Sequence, residues 1–584
     1  MNADKRRWEV GGADIPVCRQ EKSEAHLKYV VSFAPFSGQT GMSAPPFTPP
    51  TLTSAFICVH LRFLLAVVCV SAAAAADWPQ WGNTPDRNMV TDVKDLPVEW
   101  NPGTKNVETE EFDLATAKNV KWIAKLGSQT YGNTTVAGGK VFIGTNNTSP
   151  RNPKIAPNAT GPQDNGDRGV MMVFDEATGK FLWQLTVPKL KSGKVNDWEF
   201  LGICSSPTVE GDRVYVVTNR CEILCLDVNG LANGNDGPFK SEGQYILDPD
   251  LLKGGKEIAA KPTHLTDADI IWRLDMMDQL GVFPHNASNC SVLIDGDLLY
   301  CCTSNGVDWG HVNVPAAQAP SFIAVNKKTG EVAWEDEIGM GAAVREDCGL
   351  TRAIFHGQWS NPSLGVVNNK KQVYFGGGDG FLYALDPETG KTIWKGDCVL
   401  PIHKKNQKGY ILYPDAKGPS EINSTPVFYK NRVYVAVGQD PEHGEGVGVL
   451  TCWDATRTGD VTKDGKLWTY DKIQRSISTV SVYNGLVFIC DFSGYIHCVD
   501  AETGAPYWVK DTRSHIWGST LAGDGKVYFG NEDGDLIVIE AAKEYKELGK
   551  TNVGSAIYST PIVANGVMYV ASQTHLFAIQ AQKK

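Results

Sequence analysis

The pattern Asp-x-x-Thr-Gly-x-x-x-Trp runs from Asp175 to Trp183, from Asp386 to Trp394 and from Asp500 to Trp508, and again with Asn326 in place of the Asp before Trp334. Around it the chain consists of self-similar units of about forty residues. Such units cannot bury their apolar faces alone, so they stack into an array whose core grows by addition. The clearest unit, Gln358 to Trp394, holds four strand-length apolar runs bounded by turn residues: Asn361 to Leu364, Gln372 to Phe375, Phe381 to Asp386 and Thr389 to Trp394. Asp379-Gly380 marks a tight hairpin, because Gly supplies the positive φ that a primed turn needs. The unit reads as a four-stranded antiparallel sheet, and Ser478 to Trp508 repeats it almost without insertions.

The terminal Trp recurs as Trp183, Trp272, Trp334, Trp394, Trp468 and Trp508, with Leu548 in its place in the next unit. The last unit, Tyr558 to Ile579, stops after three strands. Asn119 to Trp122 has the fourth-strand pattern with no three strands before it. Joining the two chain ends predicts an all-β fold: an eight-bladed β-propeller of four-stranded antiparallel blades, closed by an N-terminal strand completing the last blade. An open row would leave unpaired edges at both ends. The tryptophans, Trp122 included, are read as packing rings that dock each blade on its neighbour.

The repeat resembles the tryptophan-docking motif of the quinoprotein dehydrogenase-like propellers, the PQQ-like repeat family, over roughly residues 115 to 582. That family includes dehydrogenases that bind pyrroloquinoline quinone (PQQ) with calcium, and non-catalytic members such as the BamB-type outer-membrane assembly factors. The resemblance therefore implies a fold more strongly than an activity. The dehydrogenases carry adjacent cysteines beside the quinone. Here Cys301-Cys302 falls inside a second strand, where neighbours point to opposite faces, so it is not expected to serve that role. No Cys-x-x-Cys-His occurs, so a c-type haem attached within this chain is not expected.

Cys225, Cys452 and Cys498 take the place of Ala384, Ala324 and Ala578, a position that suits a small residue. Counting from the Ser493-Gly494 turn pairs Cys490 with His497 and sends Cys498 to the other face, so no hairpin disulfide is expected. No metal site is assigned: Asp460 to Gly465 resembles the start of a calcium loop, but Asp471 is too short for the bidentate closing position, and a polar hairpin is the better reading.

A net charge of −11 argues against a nucleic-acid partner. The apolar run Phe63 to Ala76, after Arg62 and ending in three alanines, reads as a secretory signal within residues 60–76. It predicts export to the periplasm or cell envelope, with no transmembrane span left after cleavage. Residues 1–59 show neither periodicity and read as unstructured or a start-site artefact, and residues 77–114 as an irregular N-terminal segment before the propeller at 115–582. Export permits disulfides, but the cysteines from Cys204 onward are odd in number, so at least one thiol stays free or pairs between chains.

Most long insertions fall on one end of the ring: 146–169, 189–202, 304–320, 341–358, 396–421 and 438–448. Binding residues concentrate on loops held by a rigid scaffold, which makes that end the working face. Entering the first strands from there, Tyr131, Trp359, Trp517 and Tyr558 recur at one place, with Cys204, Asn423 and Ile477 at others. They would ring a channel mouth able to stack a small flat ligand, seat an envelope protein's apolar side chain, or plug the channel. Arg475, His515, Glu421, Arg513 and His356 are near in sequence and would add charge. The function expected is a non-catalytic binding or assembly scaffold, without a firm cofactor. The alternative is a PQQ- and calcium-dependent dehydrogenase acting on alcohols or sugars with a separate electron acceptor.

Overall fold

The computed structural model describes residues 76–158, 165–256, 258, 261–310, 314–336, 357, 359–400, 421–438 and 446–580. The signal-like run before Ala76, His356 and parts of five of the six insertions lie outside them. Among the described residues eight antiparallel sheets form the ring of an eight-bladed β-propeller. In chain order the blades span residues 135–188, 208–275, 293–335, 363–397, 427–470, 481–511, 521–552 and 562–579, and will be called blades 1 to 8. Val120–Lys125 supplies the outer strand of blade 8, with Trp122 opposite Ala578 and Lys125 opposite His575. The two ends of the repeat array are thus zipped into one sheet.

The repeated sequence pattern has a physical cause at each letter. Asp175, Asp386 and Asp500 accept hydrogen bonds from the backbone N–H and the hydroxyl of the Thr three residues on, fixing the turn between third and fourth strands. The following Gly takes a positive φ of 70–77° at Gly179, Gly330, Gly390 and Gly504. There it lies under the indole of the preceding blade: an added Cβ would come within 2.5–2.7 Å of the rings of Trp122, Trp272, Trp334 and Trp468. Six docking tryptophans, all but Trp394, donate Nε1–H to a carbonyl in the next blade's turn at 2.9–3.2 Å. Trp394 instead donates to Gln372 Oε1 in its own blade, at 3.1 Å.

Each blade carries a β-bulge in its outer strand beside the docking position. One expectation needs correction. In blade 7 the bulged residue is Leu548, and Gly549 stands opposite Val538 where the other blades have Trp. The N-terminal segment covers the vacancy. Val98 O lies against Gly549, Pro97 O accepts from Tyr528 Oη at 3.1 Å, and Trp100 is buried in the adjoining core. The positions of Cys225, Ala324, Ala384, Cys452, Cys498 and Ala578 face the docking Trp directly, which explains their small size.

A second correction concerns blade 6, where Cys490 pairs with Ile496, not His497. Asp491 N bonds to Tyr495 O, so the hairpin loop is Phe492 to Gly494, one residue longer than Ser493-Gly494 suggested. Cys490 and Cys498 therefore share a face and a core, on diagonal positions, and both are free thiols. Cys301 and Cys302 lie in one strand, opposite Ile323 and Phe322, also free and buried. Gly459–Asp460 is a short strand parallel to Trp394–Lys395 on the outside of blade 4, and Asp460 Oδ1 accepts from Thr462 N. Among the described residues no group of three or more His, Cys, Asp or Glu is placed to hold a metal ion, and no helix is long and apolar enough to cross a membrane.

Residues 77–91 cross the channel at the end of the first-to-second turns and touch the inner strand of every blade or a residue next to it. Trp78 pairs with Val136, Pro79 O accepts from Val209 N, Pro85 O from Leu364 N, Asp86 O from Phe428 N and Met89 O from Ala522 N. Asn88 exchanges two hydrogen bonds with Val482, and Asp77 accepts from Asn565. Arg87, fully buried, donates to Val292 O at 3.0 Å and Pro362 O at 2.9 Å. The segment closes that end and leaves a cavity open toward the long loops.

Candidate functional site

That cavity, of about 420 Å³, is built from the residues leading into the first strands, with Trp81 of the crossing segment as its floor. Trp81 is held by Nε1–H donation to Thr425 Oγ1 at 3.1 Å. Two residues inside each mouth position a small polar side chain recurs. These residues form a closed girdle of eight hydrogen bonds, one between each pair of neighbouring blades. Asn133 N donates to Ser206 Oγ, Ser206 N to Ser291 Oγ, and Ser291 N to Asn361 Oδ1. Asn361 Nδ2 then donates to Thr425 Oγ1, Thr425 N to Thr479 Oγ1, and Thr479 N to Ser519 Oγ. Ser519 N to Thr560 Oγ1 and Thr560 N to Asn133 Oδ1 complete it. The inner strands need such partners because they have no neighbour on the channel side. The consequence is a rigid wall with fixed polar positions.

Above the girdle the structure brings Tyr131, Trp517 and Tyr558 together as one aromatic arc. Tyr131 stacks on Tyr558 at 5.2 Å and meets Trp517 edge-on at 5.9 Å, and Trp517 lies 4.8 Å from Tyr558. Trp359 also lines the cavity, donating Nε1–H to Ala287 O at 3.1 Å and stacking on His285. Burial pushes the Tyr131 phenol up. It does the same for Tyr558, assisted by the hydrogen bond to Glu532 Oε1 at 2.9 Å, so both stay neutral. Cys204, the blade 2 counterpart, is pushed up to about 12 by burial and stays a thiol.

Of the charged residues expected at the rim, Arg475, His515, Glu421 and Arg513 lie outside the cavity lining. Arg475 is fully buried with its guanidinium 4.6 Å above the Phe492 ring. His515, half exposed, packs edge-on against Phe492 at 4.6 Å, with Nδ1 3.7 Å from Glu532. Glu421 is fully buried and accepts from Asn423 Nδ2 at 3.4 Å. Phe492 and Glu532, which join these groups to the aromatic arc, were missed. Both follow the last residue of a second strand and its next neighbour, so they occupy one repeated hairpin place. Also missed were Asn286, Trp198 and Asn289, of which Asn289 is the blade 3 member of the repeated mouth position. Trp198 stacks on Trp309 at 5.6 Å, with Lys194 Nζ 5.4 Å and 4.8 Å from the two rings.

The donor set decides what such a cavity can hold. Its described lining is aromatic, amide and hydroxyl, with Leu201, Ile477, Ala287 and Cys204 among them and without one Asp, Glu, Lys, Arg or His. PQQ is flat, which suits the rings, but it is a tricarboxylic acid. Its calcium partner takes six to eight oxygen ligands, usually including carboxylates. Placing those charges against neutral groups in a cavity carries a desolvation cost with no counter-charge to offset it. The described residues do not fit the quinone and its ion.

A family model described as outer membrane protein assembly factor BamB matches residues 118–280, 266–510 and 493–583. A polyvinylalcohol dehydrogenase of Sphingopyxis sp. (strain 113P3) is 23% identical over 537 residues, covering 82% of this chain and 73% of that protein. Among solved structures, BamB from Moraxella catarrhalis aligns with a TM-score of 0.46 at 13% identity, over 80% of this chain and 98% of its own. A quinohemoprotein alcohol dehydrogenase from Comamonas testosteroni gives 0.43 at 14% identity, over 88% and 82%. Since the family model's three matches together run from residue 118 to 583, the chain belongs to the PQQ-like propeller family described as outer membrane protein assembly factor BamB, a family that spans scaffolds and quinone-dependent dehydrogenases alike.

Proposed function

We propose that this protein is an exported, non-catalytic binding scaffold of the periplasm or cell envelope, working through the cavity on its long-loop face. One observation carries the reading: a cavity sealed below by residues 77–91 and lined by aromatic rings and amides offers contact surface and hydrogen bonds, but among the described residues no charged group to serve as acid, base or metal ligand. The signal-like run ending at Ala76 and the family description support the envelope location. The test is titration of the purified protein with PQQ plus calcium, followed by tryptophan fluorescence and by dye reduction with alcohol or sugar substrates. Neither signal is expected to change saturably, and dye reduction that depends on the quinone would overturn the reading.

A second reading, a PQQ- and calcium-dependent dehydrogenase handing electrons to another protein, is favoured by the likeness to polyvinylalcohol dehydrogenase over 82% of the chain. It requires the charged groups to come from outside the described lining. The same titration separates the two.

A further inference from the structure

The connection between the third and fourth strands of blade 2, Glu222–Asp227 and Ile270–Asp275, leaves the ring at the end opposite the long loops. It brings together two buried carboxylates, Glu242 and Asp269, 2% and 0% exposed. Both grip the same stretch of loop. Asn235 Nδ2 donates to Glu242 Oε2 at 2.9 Å, and the next residue, Asp236, donates its N–H to Asp269 Oδ2 at 2.7 Å. The second oxygen of each, Glu242 Oε1 and Asp269 Oδ1, is enclosed and has no hydrogen-bond partner within the protein. The cations around them are engaged elsewhere. Arg213 pairs with Asp227 Oδ2 at 3.1 Å, and Asn229 N takes Asp227 Oδ1. Lys240, whose charge reaches Glu242, gives its ammonium to three neutral oxygens, Asn235 O, Asn235 Oδ1 and Asp236 O, at 2.5, 2.7 and 3.2 Å. Asp269 faces negative charge instead: burial first, then Glu242, Asp227 and Asp236, push its carboxyl up to about 6.

A buried carboxylate oxygen without a partner is costly, and two of them beside one loop repel each other as well. A bridging water would supply hydrogen bonds but no charge. A divalent cation supplies the charge, and surroundings made only of oxygen select a hard ion. Calcium accepts carboxylates, amide and backbone carbonyls and water in irregular geometry, whereas magnesium holds to a near-regular octahedron and keeps several waters, which an enclosed place does not accommodate. Enclosure of the two oxygens agrees with this, because ligands about 2.3–2.6 Å from a common ion present no surface to solvent. We propose that Glu242 and Asp269 hold a calcium ion that pins the Asn235–Asp236 loop to the start of the fourth strand of blade 2. Neutral oxygens of the loop and water complete its shell, so the site needs only two acidic ligands. It lies at the other end of the ring from the cavity and is independent of any quinone.

The test strips the purified full chain with EDTA, exchanges it into chelator-free buffer at neutral pH and titrates it with calcium chloride alone, followed by calorimetry, equilibrium dialysis and the thermal midpoint. One ion per chain is expected, with a Kd of about 1 mM or tighter and magnesium weaker by about tenfold or more. The midpoint should rise saturably as the ion binds. Asp269→Asn and Glu242→Gln keep the shape of each side chain and remove one charge, and each should weaken uptake by about tenfold or more. Asp460→Asn, in the hairpin whose sequence resembles the start of a calcium loop, should take up calcium as the wild type does. Thermal midpoints identify any variant that fails to fold, and the stoichiometry of the wild type decides without them. Absence of saturable uptake, as a bridging water or a shared proton would give, overturns the proposal. So does wild-type uptake in both Asp269→Asn and Glu242→Gln, uptake lost in Asp460→Asn instead, or magnesium bound as tightly as calcium.

Discussion

The indole of Trp122 lies on Gly179, so that a Cβ added to the glycine would sit 2.6 Å from Cδ2 of the ring. This contact joins blade 8 to blade 1 and is the seam where the chain's two ends meet. The same contact recurs between other blades, with Gly330, Gly390 and Gly504 under their tryptophans. Ring closure is thus made by the same packing unit as the interfaces at Gly330, Gly390 and Gly504.

Gly179→Ala therefore carries two penalties, a positive φ of 72° and a clash with a packed ring. Gly211→Ala carries only the first, since φ is 61° and nothing lies within 4 Å of the added Cβ. The expected losses are about 3 kcal/mol at Gly179 and about 1 kcal/mol at Gly211. Urea unfolding of the two variants side by side measures the difference. Equal losses would mean that the Trp122 contact contributes nothing to closure.

Arg87→Met tests the crossing segment. The guanidinium donates to Val292 O and Pro362 O, tying blades 3 and 4 to the floor, and Met leaves those buried carbonyls short of a donor. A loss of about 3–5 kcal/mol is expected. The floor should also open, so a neutral quencher such as acrylamide should reach tryptophan more readily than in the wild type. Unchanged unfolding and quenching would show that residues 77–91 do not seal the channel.

The blades were legible because most of them share parts of one local rule: a capped turn, a glycine under a ring, and an indole docking outward. The bulge beside the docking position was not, since it inserts one residue without altering composition. The misplacement of Leu548 has a different source: Glu540 N bonds to Lys546 O, six residues on, where Asp175, Asp386 and Asp500 bond to the fifth, so the turn of blade 7 is one residue longer and the docking place falls on Gly549. The crossing segment was illegible for another reason. Its partners are up to 488 residues away, as between Asp77 and Asn565, and they are mostly backbone groups that impose no side-chain pattern. Of the site, the aromatic arc was readable from the repeated place of Tyr131, Trp359, Trp517 and Tyr558. The polar girdle was readable in principle, because a Ser, Thr or Asn recurs two residues further on. Proximity in sequence misled at Arg475 and Glu421, whose side chains are buried behind the wall.

Removing one girdle hydroxyl should be felt locally. Ser206→Ala leaves the buried Asn133 N–H without its acceptor, and a cost of about 1–3 kcal/mol follows. Hydrogen exchange offers a direct readout: the Asn133 amide should lose protection, while that of Ser519, bonded to Thr560 on another part of the ring, should keep it. Loss of protection at both would indicate that the girdle opens as a unit.

His575 gives the closure seam a pH dependence. It is buried in the third strand of blade 8, opposite Lys125 on the closing strand, with Nε2 lacking a partner. Burial first, then the positive charges of Lys105 and Lys125, lower it to about 4 against an ordinary value of 6.5, with Glu110 opposing. The folded state thus holds neutral imidazole, while the unfolded chain takes up a proton between these values. The stabilisation is complete above about pH 6.5 and is lost as pH falls toward 4. At pH 4.5 the wild type should have lost about 2 kcal/mol that His575→Gln, with no titrating ring, does not lose. Urea unfolding of both proteins at pH 7 and pH 4.5 isolates this difference from the carboxylates, which titrate alike in the two. Parallel loss in both would mean that His575 titrates normally, and that the seam next to Trp122 is open to water at the Lys125 end.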